Sequence, residues 1–305
     1  MKHLLFTLKL PVVVLCSIQG RDDARTVIEY DITPVLFELN TAEVLSDECA
    51  RVKKMVSVLV KVDTGMGRLG IRLPDLSPFL QALMRYPELH MEGLTSHLSS
   101  ADDPRDPFTK RQIDDFRRAI EVARSLGLKP ALNNLGNSAG IMGHADAHFD
   151  MVRPGIMIYG GISSPARQSA APLKPVMHFL GRVLQVRDLP GETPISYSRT
   201  YYTKGPQTIA VLSAGYGDGL PRGLSNRGSV LVQGRRVPIV GTVCMNMVMV
   251  DVTGSRDVRP GDEVVFLGSQ GDGCITGDEM ASWGGTISYD IFCSIGRVNT
   301  REYIT

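Results

Sequence analysis

The chain predicts an α/β fold: a (β/α)8 barrel, six of whose eight strands are in evidence, joined to a C-terminal all-β domain. Three observations carry this. Residues 9–161 alternate short, continuously apolar runs with longer amphipathic segments, the pattern of a parallel sheet covered by helices. Polar or glycine-rich residues gather where those runs end, at Asp63-Thr64-Gly65, His97, Asn137-Ser138 and Gly155. Barrels place their chemistry at the C-terminal ends of many strands, whereas a doubly wound open sheet needs no such spread. Beyond Pro165 the texture changes to strand-like runs punctuated by Pro-Gly, Asn-Arg-Gly and Gln-Gly turns, as in a compact β module.

Apolar runs at 12–16, 33–37, 56–62, 93–98, 131–134 and 151–159 give the six strands. The start, Met1-Lys2-His3-Leu4-Leu5-Phe6, has the look of a secretory leader. Lys9 and Pro11 interrupt its apolar run, however, and no small-x-small site follows Cys16, so a buried strand at 12–16 is the better reading. Helices are expected at 41–54, 76–85 and 109–126, the last with Ile113, Phe116, Ile120 and Ala123 on one face. Pro172 and Pro175 mark a linker, which divides the chain into a barrel domain, 1–170, and a β-domain, 171–305. The β-domain should hold strands at 181–186, 208–212, 229–232, 238–243, 247–252 and 263–267. A short helix at 277–283 and an ordered stretch at 287–295 follow.

Charge excludes several function classes. Lys+Arg number 33 against Asp+Glu 32, so there is no electrostatic footprint for nucleic acid or an anionic membrane. No apolar run reaches the ~18 residues of a membrane span. Cys16, Cys49, Cys244, Cys274 and Cys293 form no C-x-x-C pair, which argues against a disulfide framework or zinc site and suits the reducing cytoplasm. A small molecule is the expected partner.

Four strings are more specific: Lys61-Val62-Asp63-Thr64-Gly65-Met66-Gly67-Arg68-Leu69-Gly70; Met151-Val152-Arg153-Pro154-Gly155-Ile156-Met157-Ile158-Tyr159-Gly160; Ile195-Ser196-Tyr197 followed by Gly215-Tyr216-Gly217-Asp218-Gly219; and Val240-Gly241-Thr242-Val243-Cys244-Met245-Asn246. In content and order they resemble the alanine racemase family, from about Leu10 to the end. The resemblance implies a pyridoxal-phosphate enzyme that interconverts L-alanine and D-alanine by proton transfer between two bases. It also implies a head-to-tail homodimer with shared sites.

Roles follow residue by residue. Ser138, Gly155, Ile156 and Tyr289 match phosphate contacts; Asn137-Ser138 alone also reads as a helix N-cap, and Tyr289 as a core tyrosine. Arg153 matches the residue facing the pyridine nitrogen, Arg68 the one beside the phenolic oxygen, and Lys61 a lysine carbamylated in some members. Tyr197 matches one base, with His97 and then Arg153 as the relay that makes a phenol usable; taken singly, His97 reads as a hydrogen-bonded barrel histidine and Arg153 as a salt-bridge partner. Tyr216, Met245 and Asn246 match residues extended over the substrate by the partner subunit. Asn246 is a tolerated variant of aspartate, and Ser198 stands where many members carry glycine.

The family's Val-Val-Lys-Ala-Asn-Ala-Tyr-Gly-His-Gly-type string, whose lysine holds the cofactor, has no counterpart here, and the strand at 12–16 looks like the family's third. The expectation is a truncated or misassigned reading of a longer gene, inactive as it stands, with open strand edges and low stability. Racemisation of serine or another small amino acid, or a non-catalytic fragment that dimerises or binds pyridoxal phosphate, are the alternatives.

Overall fold

The computed structural model describes residues 10–162 and 172–304. The leader-like start, Lys9, Pro165 and the expected 170/171 boundary lie outside the described residues. The chain divides into two compact units, Met1–Pro154 and Gly155–Thr305.

The first unit is built on parallel strands, as the unbroken apolar runs require. In order come β1 (Val12–Val14), α1 (Gly20–Glu29), β2 (Ile32–Leu36), α2 (Leu39–Val52), β3 (Val56–Asp63), β4 (Ile71–Arg72), α3 (Leu73–Leu83), β5 (Leu89–Thr95), α4 (Phe108–Ser125) and α5 (Ser138–Gly143). Strand β1 pairs β2, β2 pairs β3 and β3 pairs β5, all parallel. Single parallel bridges then extend the series from Thr95 to Asn134 and from Asn134 to Met151. Six successive parallel positions thus stand among the described residues, the order of a TIM-like barrel wall. Helix α4 buries the expected face, with Ile113, Phe116, Ile120 and Ala123 all under 7 % exposed. Phe116 meets Phe149 edge to face at 4.9 Å.

Two expected strands are corrected. At 131–134 and 151–159 the ladder is reduced to bridges at Asn134 and Met151; backbone bonds to the neighbouring strands persist, such as Ala131 N to Glu92 O and Asn134 N to Leu94 O, and side chains supplement them. Asn133 accepts from Leu94 N, while Asp150 accepts from the backbone and side-chain nitrogens of Asn133. Gly93 permits the close crossing there: a Cβ on it would lie 2.2 Å from the Leu132 carbonyl oxygen. Residues Ile156–Tyr159 coil into a 3-10 turn instead, with Ile158 N donating to Gly155 O at 3.0 Å. Helix α1, absent from the sequence expectations, buries only Ala24, Val27 and Ile28.

The second unit is mostly antiparallel. Its strands are β6 (Phe179–Leu189), β7 (Pro194–Ile195), β8 (Tyr201–Tyr202), β9 (Gln207–Leu212), β10 (Ser229–Val232), β11 (Arg235–Pro238), β12 (Val248–Asp251), β13 (Glu263–Gln270) and β14 (Gly273–Ile275). The main sheet runs β11-β10-β13-β6-β9-β12, with β14 added to β13, while β7 and β8 form a separate pair. The strand expected over 238–243 is reduced, past the end of β11 at Pro238, to a bridge between Ile239 and Val250: Gly241 takes φ +80°, and its N–H turns aside to Asn226 Oδ1. Helices α6 (Gly277–Gly284) and α7 (Ser288–Val298) close the chain. Thr276 caps α6 by accepting from Glu279 N.

Candidate active site

In the first unit the strand ends bring four of the expected residues together. Lys61 lies near the end of β3, in register with Thr95 at the end of β5. After β3 the chain turns through Gly65, Gly67 and Gly70, and the Asp63 carboxylate ties that turn by accepting from Gly65 N at 2.9 Å and Gly67 N at 3.1 Å. Gly70 is obligatory: at φ +124, a Cβ would come within 2.7 Å of Asp63 N. This folded-back turn places Arg68, Lys61, Ser96 and His97 around one small cleft, together with Asp63 and Met66.

Arg153 forms the floor of the cluster. Its guanidinium donates to Ser96 O at 2.7 Å, His97 Nδ1 at 3.1 Å, Thr95 Oγ1 at 3.3 Å and Leu135 O at 3.4 Å, and also to Asn134 Oδ1. Every partner is a neutral acceptor. Burial without a carboxylate therefore pulls Arg153 down to about 10, still charged at neutral pH. Because an arginine only donates, His97 must accept at Nδ1 and carry its hydrogen on Nε2. Burial first, then Arg153, Lys61 and Arg68, push His97 down to about 4, so it is a neutral imidazole at pH 7.

Lys61 has no hydrogen-bond or ion-pair partner among the described residues, since Asp63 is spent on the turn. Burial, then Arg153 and Arg68, lower its amine to about 8, with Asp63 only partly opposing them. The outcome is a pocket of donors and positive charge whose acid, Asp63, is tied to the turn. Beside it, Asn134 Nδ2 is buried and without a partner, because Thr95 and Arg153 both donate to its oxygen. This donor set fits an anionic, oxygen-rich group such as a phosphate-bearing phenol. Ser138 opens α5 just beyond Asn134. Its neighbour Asn137 is the N-cap, accepting from Gly140 N at 2.9 Å, which leaves Ser138 buried inside the first turn.

Sequence reasoning missed the residue that holds His97 in place. Gln112 of α4 is fully buried, donates to His97 O at 3.0 Å and Thr64 Oγ1 at 3.3 Å, and accepts from Ser99 N. Its signal was a polar side chain on the otherwise apolar face of that helix.

The second unit assembles the remaining residues in two places. Gly155 and Ile156 begin the 3-10 turn whose Tyr159 packs on Phe292 at 6.3 Å. Tyr289 precedes Phe292 by one turn of α7 and so shares its face. Elsewhere, Tyr216 N donates to Cys244 O and Gly217 N to Met245 O, which joins Tyr216 to Met245 and Asn246. Thr242, just upstream, donates to Tyr197 O at 3.0 Å and accepts from Ser196 Oγ. Tyr197, Tyr216 and Met245 are 69 %, 45 % and 56 % exposed, a patch of large side chains turned to the surface.

Residues 5–163 match the family model for the alanine racemase N-terminal domain, and residues 176–303 that for the C-terminal domain. The alanine racemase of Syntrophobacter fumaroxidans is 42 % identical over 296 residues, covering 97 % of this chain and 78 % of that protein. The crystal structure of alanine racemase from D-cycloserine-producing Streptomyces lavendulae superposes with a TM-score of 0.90 at 29 % identity, over 97 % of this chain and 79 % of that one. That of Bartonella henselae, with covalently bound pyridoxal phosphate, gives 0.84 at 29 %, over 97 % and 79 %. Both units match, in the order the strings imply, and this chain belongs to the alanine racemase family.

Proposed function

We propose that this chain binds pyridoxal phosphate at the Lys61–Arg68–His97–Arg153 cluster and acts there on alanine, its family's reaction being the interconversion of the L and D enantiomers. One observation carries the reading: Lys61, Arg68 and Arg153 gather around the neutral His97 at the C-terminal ends of parallel strands, and the acid that lines the same cleft, Asp63, is tied to the turn. When bound, pyridoxal phosphate supplies the electron sink that acidifies the substrate's Cα–H. Arg153, a permanent donor, is assigned to the pyridine nitrogen, which it leaves unprotonated. Arg68 holds negative charge on the phenolic oxygen. Ser138, Gly155, Ile156 and Tyr289 are assigned to the phosphate.

Tyr197 moves the proton at Cα. A second copy of the chain is the natural source of that tyrosine, together with Tyr216, Met245 and Asn246, since their exposure leaves them available to another surface. This makes the working unit a homodimer with shared sites. The five free cysteines suit the cytoplasm, and no helix among the described residues is long and apolar enough to cross a membrane.

The test follows the Cα–H signal of L- and D-alanine by proton NMR in deuterium oxide with added pyridoxal phosphate. Tyr197 is assigned to one face of Cα, so the enantiomer whose α-proton it faces should exchange, and Tyr197→Phe should abolish that exchange. Exchange of serine in preference to alanine would favour the other amino-acid reading. No exchange with any amino acid, while pyridoxal phosphate is retained, would leave a binding fragment only.

A further inference from the structure

We propose that Gln112 is a positioning residue of the candidate site: its side-chain amide locks the turn that carries Arg68 and the strand end that carries His97 to one helix, and so fixes the separation of the two groups. The use made of that separation, with Arg68 at the phenolic oxygen and His97 behind Tyr197, rests on the cofactor reading above. The lock itself does not.

Every position of the amide is spent. Its Oε1 accepts from Ser99 N at 2.9 Å and Ser99 Oγ at 3.0 Å, while Nε2 donates to His97 O at 3.0 Å and Thr64 Oγ1 at 3.3 Å. Ser99 N can only donate and His97 O can only accept, so backbone groups on both sides settle which way round the amide lies. A glutamate here would turn lone pairs on the His97 carbonyl, and a leucine would leave both backbone groups without this partner. Gln112, Thr64 and Ser96 are all buried, so solvent does not replace a bond lost among them.

The lock reaches three of the cations' supports. Thr64 directly follows β3, inside the turn that leads to Arg68, and its hydroxyl also meets Ser96 Oγ at 2.8 Å. Ser96 O takes the Arg153 guanidinium at 2.7 Å, one residue before His97. One amide on α4 therefore stands behind the Arg68 turn, the His97 backbone and an acceptor of Arg153. One helical turn earlier, Phe108 presses on the same turn: a Cβ on Gly65 would lie 2.5 Å from its ring. Phe108 and Gln112 are four residues apart and so share a face of α4, one gripping the turn by apolar contact and the other by hydrogen bonds. Further along, Phe116 and Ile120 anchor the helix in the core, which makes the grip rigid.

A glutamine that only packs would cost stability when removed and nothing more. A positioning glutamine ties signals at the Arg68 turn to signals at His97. The experiment uses the full chain, labelled with nitrogen-15. NMR follows the amide signals of Gly65 and Gly67 and the imidazole signals of His97, first without pyridoxal phosphate and then with it. Equilibrium dialysis measures retention, and absorbance titrates the phenolic oxygen of the retained cofactor. Gln112→Leu should move the glycine and imidazole signals together, with no cofactor present. With cofactor it should raise the phenolic midpoint and weaken retention by about ten- to a hundredfold, the range found for outer partners that orient ligands at metal sites. Thr64→Val cuts only the β3 arm and should move the glycine signals while leaving the imidazole in place. Ile120→Ala, a core truncation on the same helix, should lower the melting temperature and move neither set.

If Gln112→Leu leaves either set in place, or Ile120→Ala moves both as far, the glutamine only packs and the proposal falls. If Gln112→Leu does not fold, Thr64→Val decides, and unmoved glycine signals overturn the lock. Equal retention by parent and Gln112→Leu refutes the positioning role while the cofactor reading survives. A parent that retains no pyridoxal phosphate sinks the cofactor reading, and the signals of the unloaded chain still decide the lock.

Discussion

Lys61→Met should make the protein more stable at neutral pH, although it removes a site residue. Methionine keeps the length and apolar stem of lysine and drops the ammonium. The fold holds that ammonium at about 8 instead of the ordinary 10.5, and at 1.36 kcal/mol per tenfold this is a cost of ~3 kcal/mol to the charged folded state. Between pH 8 and pH 10.5 the unfolded chain binds the proton more tightly than the folded one, so stability rises with pH through that window. Below pH 8 both states are protonated and the full cost applies; above pH 10.5 neither is, and it vanishes. The variant's advantage should therefore be ~2–3 kcal/mol at pH 7 and near zero at pH 10.5. Urea denaturation followed by far-ultraviolet circular dichroism at both pH values reads it, and comparing variant with parent at each pH cancels the other titrating groups. A gain that persisted at pH 10.5 would be packing and not charge. No gain at pH 7 would mean that Lys61 is solvated, and the electrostatic account of the site would fall with it.

Three further outcomes follow from the same geometry. His97 should stay neutral from pH 8 to pH 5 and titrate near 4, read from its imidazole proton shifts by NMR with His97→Gln for assignment; its folded value lies below the unfolded 6.5, so the stability it contributes is lost as pH falls from 6.5 towards 4. Gln112→Leu strips His97 O and Ser99 N of buried partners and should cost ~2–3 kcal/mol in urea denaturation, while weakening pyridoxal phosphate retention through the displaced histidine. Gly93→Ala drives a methyl group into the Leu132 carbonyl at 2.2 Å and should cost ~3 kcal/mol or more, seen as a lowered melting temperature or insoluble expression.

What was legible in the sequence had period and contrast. The face of α4 follows from Ile113, Phe116, Ile120 and Ala123, and the parallel strands from runs such as Val56–Asp63 that are apolar throughout. The strands at 131–134 and 151–159 are shorter than their apolar runs suggest, each kept as a single parallel bridge, because composition does not reveal the side-chain bonds of Asn133 and Asp150 or the 3-10 turn at Ile156–Tyr159. The site residues came from ordered strings and not from periodicity, and the strings name residues without fixing their charge. That His97 is neutral, and Lys61 partly so, depends first on burial and then on neighbouring cations converging from β3, its following turn and Arg153, which Asp63 opposes only in part at Lys61. Only coordinates carry that.

The turn around Tyr197 shows why exposure and precision coexist there. Ser196, Ser198 and Arg199 all adopt positive φ, at 64°, 60° and 50°, where side-chain-bearing residues cost of order 1 kcal/mol each. Such a run persists only if its surroundings over-determine it. Thr242 does so from both sides, donating to Tyr197 O while its own carbonyl accepts from Ser196 Oγ. Asn226 Nδ2 donates to Thr200 Oγ1 just beyond. Glycine at position 198, which the resemblance leads one to expect, would adopt this backbone more cheaply but would leave it freer to leave. With serine the folded turn carries more strain and fewer alternatives. A phenol that is 69 % exposed thus has its backbone fixed by the chain behind it, which suits the role proposed for it in a second copy's site.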